Sequence, residues 1–168
     1  MNVPVEIERK YVISLPDVQT LEAQEGYTVS EIEQTYLESA PVVTHRVRAR
    51  AYEGRTVYTE TKKVRIDKMS AFEDEREVSE DEYTELLKKR AKDTVTLRKT
   101  RHTFVYEGQT FEVDIYPEWV RSAILETELS SREKEVVFPG FITVVAEVTG
   151  DKRYSNASMS RKFPEELI

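Results

Sequence analysis

The stretch Val5-Glu6-Ile7-Glu8-Arg9-Lys10-Tyr11 alternates between charged and apolar side chains. Glutamate, glutamate and lysine stand at positions 6, 8 and 10, and valine, isoleucine and tyrosine stand at the alternate positions 5, 7 and 11. Because successive side chains of a β-strand point to opposite faces of its sheet, this spacing predicts a strand with one charged face and one largely apolar face.

The same alternation recurs in five later segments. Their charged positions are Arg46, Arg48 and Arg50; Glu73, Glu75 and Glu77; Lys99 and Arg101; Glu112 and Asp114; and Glu126 and Glu128. For any one strand, a solvated polar face is a sufficient explanation. Like charges at alternate positions stand only about 7 Å apart, however, and they repel one another. Six such strands predict bound counterions: a divalent cation between the carboxylates, and phosphate between the arginines and lysines.

The remaining elements follow from periodicity and turn residues. Alternation predicts strands near 3–13, 31–38, 42–52, 55–65, 71–78, 94–106, 109–116, 122–129 and 142–148. Glu53-Gly54 and Glu107-Gly108 are predicted hairpin turns, because glycine tolerates the positive φ that tight turns require.

About three short helices are expected. Ser79-Glu80-Asp81-Glu82 has the form of a capping box and predicts a helix over 80–91. Weaker helix starts stand at Ser14-Leu15-Pro16-Asp17 and at Ser130-Ser131-Arg132-Glu133.

These elements predict an α+β fold built on an eight-stranded antiparallel β-barrel. Closure removes exposed strand edges. In such a barrel the charged faces line a hydrated tunnel, and the apolar faces pack against a few short helices outside. A hydrated or ligand-filled interior is required, since isolated buried charges are very costly.

Composition bounds the class of protein. The chain has 168 residues, 34% of them charged, a formal net charge of −7 and no cysteine. This length predicts a single domain over 1–168. The net charge argues against a nonspecific partner such as nucleic acid or an anionic membrane. Without cysteine, a signal peptide or a membrane-spanning run, we expect a cytoplasmic protein.

The motifs are similar to those of the CYTH domain, also called the triphosphate tunnel metalloenzyme family. Glu6-Ile7-Glu8-Arg9-Lys10 matches its ExExK signature. Later matches follow in order, at Gln34-Thr35-Tyr36-Leu37, Arg46-Val47-Arg48, Thr61-Lys62-Lys63, Glu73-Asp74-Glu75, Lys99-Thr100-Arg101, Glu112-Val113-Asp114, Glu126-Thr127-Glu128 and Glu147-Val148-Thr149-Gly150-Asp151. The resemblance extends to about 156–159 and is closest to small bacterial members. It implies a tunnel that binds a triphosphate and a divalent metal.

The resemblance also implies roles for individual residues. The implied metal ligands are Glu6, Glu8, Glu126 and Glu128, to which we add Asp114. The substrate-binding set is Arg46, Arg48, Arg50, Lys63, Lys99 and Arg101. The catalytic set is Lys10, Tyr36, Lys99, Glu73 and Glu75. Oxygen ligands without cysteine favour Mg²⁺ or Mn²⁺ over zinc.

Two positions leave the phosphate-binding wall open to alternatives. Many family members carry an arginine two residues before the second acidic pair, where this chain has Ala71, and Arg50 or Arg65 could compensate. Alternation from Thr61 favours Lys63 as the inward lysine, whereas counting from Glu60 would favour Lys62.

The predicted function is metal-dependent hydrolysis of triphosphate compounds, with inorganic triphosphate as the preferred substrate. The alternatives are a class IV type adenylate cyclase, a hydrolase of an organic triphosphate such as thiamine triphosphate or a nucleotide, and a noncatalytic polyphosphate or nucleotide-binding module. The oligomeric state stays open, and an apolar outer helix face is compatible with a homodimer.

Overall fold

A computed structural model describes residues 5–168, and these form one antiparallel sheet of nine strands. The strands are β1 Val5–Ser14, β2 Glu25–Tyr36, β3 Val43–Tyr52, β4 Arg55–Arg65, β5 Ser70–Val78, β6 Leu97–Tyr106, β7 Gln109–Ile115, β8 Ser122–Glu128 and β9 Val144–Glu147. Helices α1 Val18–Glu22, α2 Glu80–Leu87 and α3 Asn156–Met159 accompany them, with a 3₁₀ turn at Lys152–Tyr154. Positions 3 and 4 of the first predicted strand lie outside the described residues.

Eight of the strands close into a barrel. Their order is β5-β4-β3-β2-β6-β7-β8-β1, and β1 pairs with β5 to complete the ring. Along that edge of β1, Val5–Ile7 pair with β5 and Tyr11–Ile13 pair with β9. The predicted closed eight-stranded antiparallel barrel is therefore confirmed, and β9 is a ninth strand that shares the β1 edge with β5.

Both predicted hairpin turns are present. Glu53 and Gly54 have φ of 48° and 75°, and Glu107 and Gly108 have φ of 51° and 72°. Two successive positive φ values are typical of the two-residue turns that match the twist of antiparallel strands. These turns set the pairing of β3 with β4 and of β6 with β7.

The helices agree only in part with the prediction. Helix α2 begins as predicted, because the Ser79 hydroxyl accepts a hydrogen bond from the Glu82 amide at 3.1 Å. It ends at Leu87 instead of residue 91, because the Ala91 amide donates to the Tyr36 carbonyl and joins the chain to β2. The segment beginning at Ser130 forms turns and no helix, so this prediction was wrong.

Among the described residues, no helix is both long and apolar enough to cross a bilayer.

Apolar residues cover the outside of the barrel wall in two places. One cluster lies on β1, β6, β7 and β8 and contains Tyr11, Phe104, Phe111 and Leu125. Leu21 of α1 and an irregular segment with Phe138 pack on it. The second cluster lies under α2, where the Tyr83 and Tyr58 ring centroids are 4.9 Å apart. Burial of these apolar side chains outside leaves the interior free for charge.

One end of the barrel interior is apolar. Val12, Leu97 and Ile124 are inward-facing residues there, and they pack with Tyr154 and Met159 of the C-terminal segment. This segment therefore closes one end of the barrel and gives the charged interior a wall.

Candidate active site

The inward side chains line one cavity of about 620 Å³. Nine lysine and arginine side chains and eight aspartate and glutamate side chains line it. The cavity is therefore close to neutral, whereas the whole chain has a net charge of −7. Six of the nine cations have a carboxylate within 4.0 Å.

An acidic group lies where β1 meets β5. Glu6, Glu8 and Glu73 approach the same Lys63 ammonium, with oxygen to Nζ distances of 3.5, 3.9 and 3.7 Å. Burial raises the pKa of Glu6 to about 9, and hydrogen bonding to Glu73 and Glu8 adds to the effect. Burial also opposes ionisation of Glu73, but the hydrogen bond from Glu6 and the charge of Arg46 outweigh it and lower the pKa of Glu73. Glu6 is therefore the carboxyl that favours the protonated form, and Glu73 is the one that favours the carboxylate.

This acidic group suits a hard divalent cation. Glu6 Oε2 is buried and has no hydrogen-bond partner among residues 5–168. In the described part of the chain, no three acidic or histidine side chains are already arranged as a metal site. The Lys63 ammonium instead supplies the positive charge around which the three carboxylates gather. Carboxylate oxygens are the ligands that Mg²⁺ prefers, so the residues fit such an ion.

A second acid lies against the motif lysine. The Lys10 ammonium is 3.2 Å from a Glu126 oxygen and donates a hydrogen bond to the Tyr154 carbonyl at 3.0 Å. Burial disfavours the charged form of both side chains. For Glu126 the charge of Lys10 has the larger effect and lowers the pKa to about 2. The carboxylates of Glu126 and Glu8 in turn raise the pKa of Lys10. This pair is charged across the physiological pH range.

Arginines occupy the wall formed by β3. Arg46 and Arg48 each have a buried Nε that lacks a hydrogen-bond partner within residues 5–168. Their nearest carboxylates are at 4.0 Å, from Glu73, and at 3.6 Å, from Glu75. Burial, and then the charge of Arg46 and Arg101, lower the pKa of Arg48 to about 10. Crowded guanidinium groups with unpaired donors are suited to a multiply charged oxyanion.

Asp114 holds two further cations in place. Its Oδ2 lies 2.8 Å from Lys99 Nζ, and its Oδ1 and Oδ2 accept hydrogen bonds from Arg101 at 2.8 and 2.9 Å. Asp114 is 1% exposed. Burial and the charge of Arg101 lower the pKa of Lys99 to about 8, although Asp114 acts in the opposite direction. Lys99 and Arg101 both line the cavity, and the buried Asp114 carboxylate holds the two side chains in that position.

Most of the predicted site residues line the cavity. These are Glu6, Glu8, Lys10, Tyr36, Arg46, Arg48, Lys63, Glu73, Glu75, Lys99, Arg101 and Glu126. Three predicted residues do not line it. Arg50 donates to the Ser30 hydroxyl at 3.0 Å, both Asp114 oxygens already face cations, and Glu128 is exposed at the end of β8. In β7 the acid that reaches the cavity is Glu112, 2.9 Å from Arg101.

The structure decides both of the open positions. Lys63 points into the cavity, whereas Lys62 is exposed and pairs in register with Asp74 on the outer face. Ala71 pairs in register with Arg65, which lines the cavity. Arg65 therefore stands beside the alanine, and Arg50 does not compensate for it.

Several cavity residues had no role assigned from the sequence. Lys68 lies in the β4–β5 turn, and Thr149, Lys152 and Asn156 belong to the C-terminal segment. The Thr149 hydroxyl accepts a hydrogen bond from the Lys10 amide at 3.0 Å. The sequence marked this segment only through the ordered match at residues 147–151 and the extension of the resemblance to about 156–159.

Solved structures share this architecture. The inorganic triphosphatase NE1496 matches with a TM-score of 0.59 and 24% identity, over 95% of this chain and 97% of that chain. The PH1819 protein of Pyrococcus horikoshii OT3 matches with a TM-score of 0.56 and 23% identity, over 76% and 80% of the two chains. HpAC1, a putative adenylyl cyclase from Hippeastrum with a dominant triphosphatase activity, matches with a TM-score of 0.54 and 16% identity, over 76% and 81%.

The chain has the fold of these proteins. No protein-family model and no curated protein matches its sequence. At these identities the comparison establishes the shared barrel, which agrees with the fold implied by the CYTH resemblance. The activity has to be argued from the cavity itself.

Proposed function

We propose that this chain is a divalent-metal-dependent hydrolase of triphosphate compounds, with inorganic triphosphate as its substrate. One observation carries the proposal: carboxylates of β1 and β5 and the arginines and lysines of β3, β4 and β6 line the same cavity of about 620 Å³. A noncatalytic polyanion binder needs only the cations. The shared fold with an inorganic triphosphatase supports the same conclusion.

The acidic group holds the metal in this proposal. Glu6, Glu8 and Glu73 would hold the ion, and Glu6 would have to give up its proton to do so. Mg²⁺ or Mn²⁺ held there would supply neutralisation of phosphate charge and activation of water. Lys63, which lies among these carboxylates, would donate to a phosphate oxygen.

The cationic walls position the substrate. Arg46, Arg48 and Arg101 bind phosphate oxygens with their planar donor groups, and Lys99 adds a compact charge. Phosphoryl transfer requires mainly in-line positioning and neutralisation of charge, so these contacts carry most of the catalysis. Glu75, which accepts a hydrogen bond from the Thr61 hydroxyl at 2.8 Å, orients the attacking water.

The test is phosphate release from tripolyphosphate, ATP and thiamine triphosphate, with Mg²⁺ or Mn²⁺ and with a chelator. We expect tripolyphosphate to be hydrolysed fastest and the chelator to abolish release. ATP products are to be separated, because cyclic AMP with pyrophosphate would identify a cyclase.

Variants connect the activity to the cavity. Glu8→Gln and Lys10→Ala are each expected to lower kcat/KM by about 100-fold or more, since both remove charge from the reacting region. Glu135→Gln, an exposed change away from the cavity, serves as control. Parent-level activity in a folded Glu8→Gln or Lys10→Ala protein would refute the assignment.

A further inference from the structure

Three cavity-lining cations differ from all the others. Arg65, Lys68 and Lys152, named here the rim cluster, form no ion pair with any of residues 5–168. The other six cavity-lining cations each have a carboxylate within 4.0 Å; they are Lys10, Arg46, Arg48, Lys63, Lys99 and Arg101. The rim cluster therefore carries positive charge that the cavity does not balance.

Two carboxylates beside the rim cluster are occupied by other partners. Asp67 accepts hydrogen bonds from the amides of residues 69 and 70, at 2.9 and 3.1 Å, and pairs with Arg132. Asp151 accepts hydrogen bonds from the Arg153 amide at 3.0 Å and from its guanidinium at 2.7 and 3.1 Å. Neither Arg132 nor Arg153 lines the cavity. The charges of Asp67 and Asp151 are thus neutralised by arginines outside the cavity, and the rim cluster forms no ion pair with them.

A tight backbone contact brings the rim cluster together. A Cβ added to Gly150 would lie 2.7 Å from the Lys68 Cβ and 3.1 Å from its Cα. The β4–β5 turn therefore packs directly on the C-terminal segment, two residues before Lys152. Arg65 is the last residue of β4, two residues beyond the inward-facing Lys63 and three before Lys68, and it lines the same cavity.

We propose that the rim cluster binds phosphate groups beyond the third, so that linear phosphate chains of four or more units are ligands and substrates of this site. This proposal rests on the proposed function, because the paired inner cations hold the first three phosphates. An inorganic chain fits better than a nucleoside, since a base requires a stacking surface and the described cavity residues include a single aromatic side chain, Tyr36. Tyr36 is buried, and its hydroxyl accepts a hydrogen bond from Gln34 at 2.6 Å.

The experiment compares chain lengths at constant ionic strength. Steady-state kinetics with triphosphate, tetraphosphate and longer chains are measured for the parent and for the double variant Lys68→Gln, Lys152→Gln. For tetraphosphate and longer chains the KM is expected to rise by about fivefold or more, because each exposed charge pair contributes up to about fivefold. For triphosphate the KM is expected to change by less than about twofold. Lys88→Gln, Lys89→Gln at the exposed end of α2 is the matched control.

Two kinetic outcomes would overturn the proposal. An equal rise in KM for triphosphate and for longer chains would mean that the rim cluster only attracts anions from a distance. An unchanged KM for every chain length would mean that it makes no contact with substrate.

Calorimetric titration with Mg²⁺ separates this proposal from the proposed function. If the parent hydrolyses no phosphate chain, the hydrolase proposal fails, and the Kd values still test the rim cluster. A double variant that weakens tetraphosphate binding by about fivefold and triphosphate binding by less than about twofold supports it. Equal Kd changes for the two ligands refute it.

Discussion

Asp114 lies in the barrel interior with both carboxylate oxygens facing cations. Asp114 alternates with Glu112 along β7, as Glu126 alternates with Glu128 along β8. For this reason the sequence analysis included Asp114 among the predicted metal ligands. The structure places it beneath Lys99 and Arg101, and it orients both of them toward the cavity. We therefore regard Asp114 as a positioning residue.

Replacing Asp114 tests this role. Asp114→Asn should lower the free energy of unfolding by about 3–5 kcal/mol, because two buried cations lose their anion. It should also lower the pKa of Lys99 further, so that the alkaline limb of the kcat/KM profile for tripolyphosphate moves to lower pH. Urea unfolding and pH profiles measure the two effects.

Asp74→Asn is the matched control for that change. Asp74 is exposed on the outer face of β5, so its stability effect should stay within about 0.5 kcal/mol. An Asp114→Asn protein with the stability and the pH profile of the parent would contradict the positioning role.

Glu6 makes stability depend on pH when metal is absent. Its pKa is raised from 4.5 to about 9, so the folded protein keeps a proton that the unfolded chain loses in between. The contribution of Glu6 to stability is therefore complete below pH 4.5 and falls as pH rises toward about 9. Glu6→Gln removes this dependence. We expect the Tm of the variant to equal or slightly exceed that of the parent at about pH 5, and to exceed it clearly at about pH 9.

Thermal unfolding in chelator at the two pH values measures the difference. Glu133→Gln, an exposed change in the turn after β8, is expected to leave the Tm difference independent of pH. A Glu6→Gln protein with the same pH dependence as the parent would show that Glu6 is ionised in the folded state.

At the level of elements, Gly150 joins the C-terminal segment to the β4–β5 turn. Its φ is +73°, and a Cβ there would meet Lys68. Gly54, in the β3–β4 hairpin, has a similar φ of +75° but no atom within 4 Å of an added Cβ. The two glycines therefore separate backbone strain from steric contact.

Alanine substitutions at both glycines exploit this difference. Gly54→Ala should lower the free energy of unfolding by about 1–2 kcal/mol through backbone strain alone. Gly150→Ala should cost about 1–3 kcal/mol more, because the turn must also move. Chemical denaturation compares the two variants. Equal decreases in the free energy of unfolding would mean that the β4–β5 turn moves aside at no energetic cost.

At the scale of the whole molecule, the barrel concentrates cations inside an acidic protein. Under the proposed function, tripolyphosphate with Mg²⁺ binds the folded state and not the unfolded chain, so the free energy of unfolding should rise with ligand concentration. At 100 times the Kd the increase should reach about 2.7 kcal/mol. Sulfate at equal ionic strength should stabilise much less, since it cannot reach both the acidic group and the arginine wall. Equal shifts of the Tm with the two anions would contradict a specific site.

Much of the fold could be predicted from the sequence. The alternation of side chains in residues 5–11, and in the later strands, is a property of the extended backbone itself, so it identifies which residues share a face. Glycine turns and the Ser79 cap are equally local, and they marked both hairpins and the start of α2. Strand ends were less well predicted: β2 begins at Glu25 instead of residue 31, because its pairing with β6 extends it.

What only the tertiary structure decided is which inward charges meet one another. Asp114, Glu112 and Glu126 share one alternating pattern, yet the first holds Lys99 and Arg101, the second also contacts Arg101, and the third pairs with Lys10. Glu128 follows the same pattern but is exposed, because β8 ends there. Alternation is determined within a few residues of the backbone, whereas ion pairing depends on distances between strands that are far apart in sequence. For that reason the sequence by itself determined a charged barrel interior, and only the closed barrel decided which of its charges are paired and which remain free for a ligand.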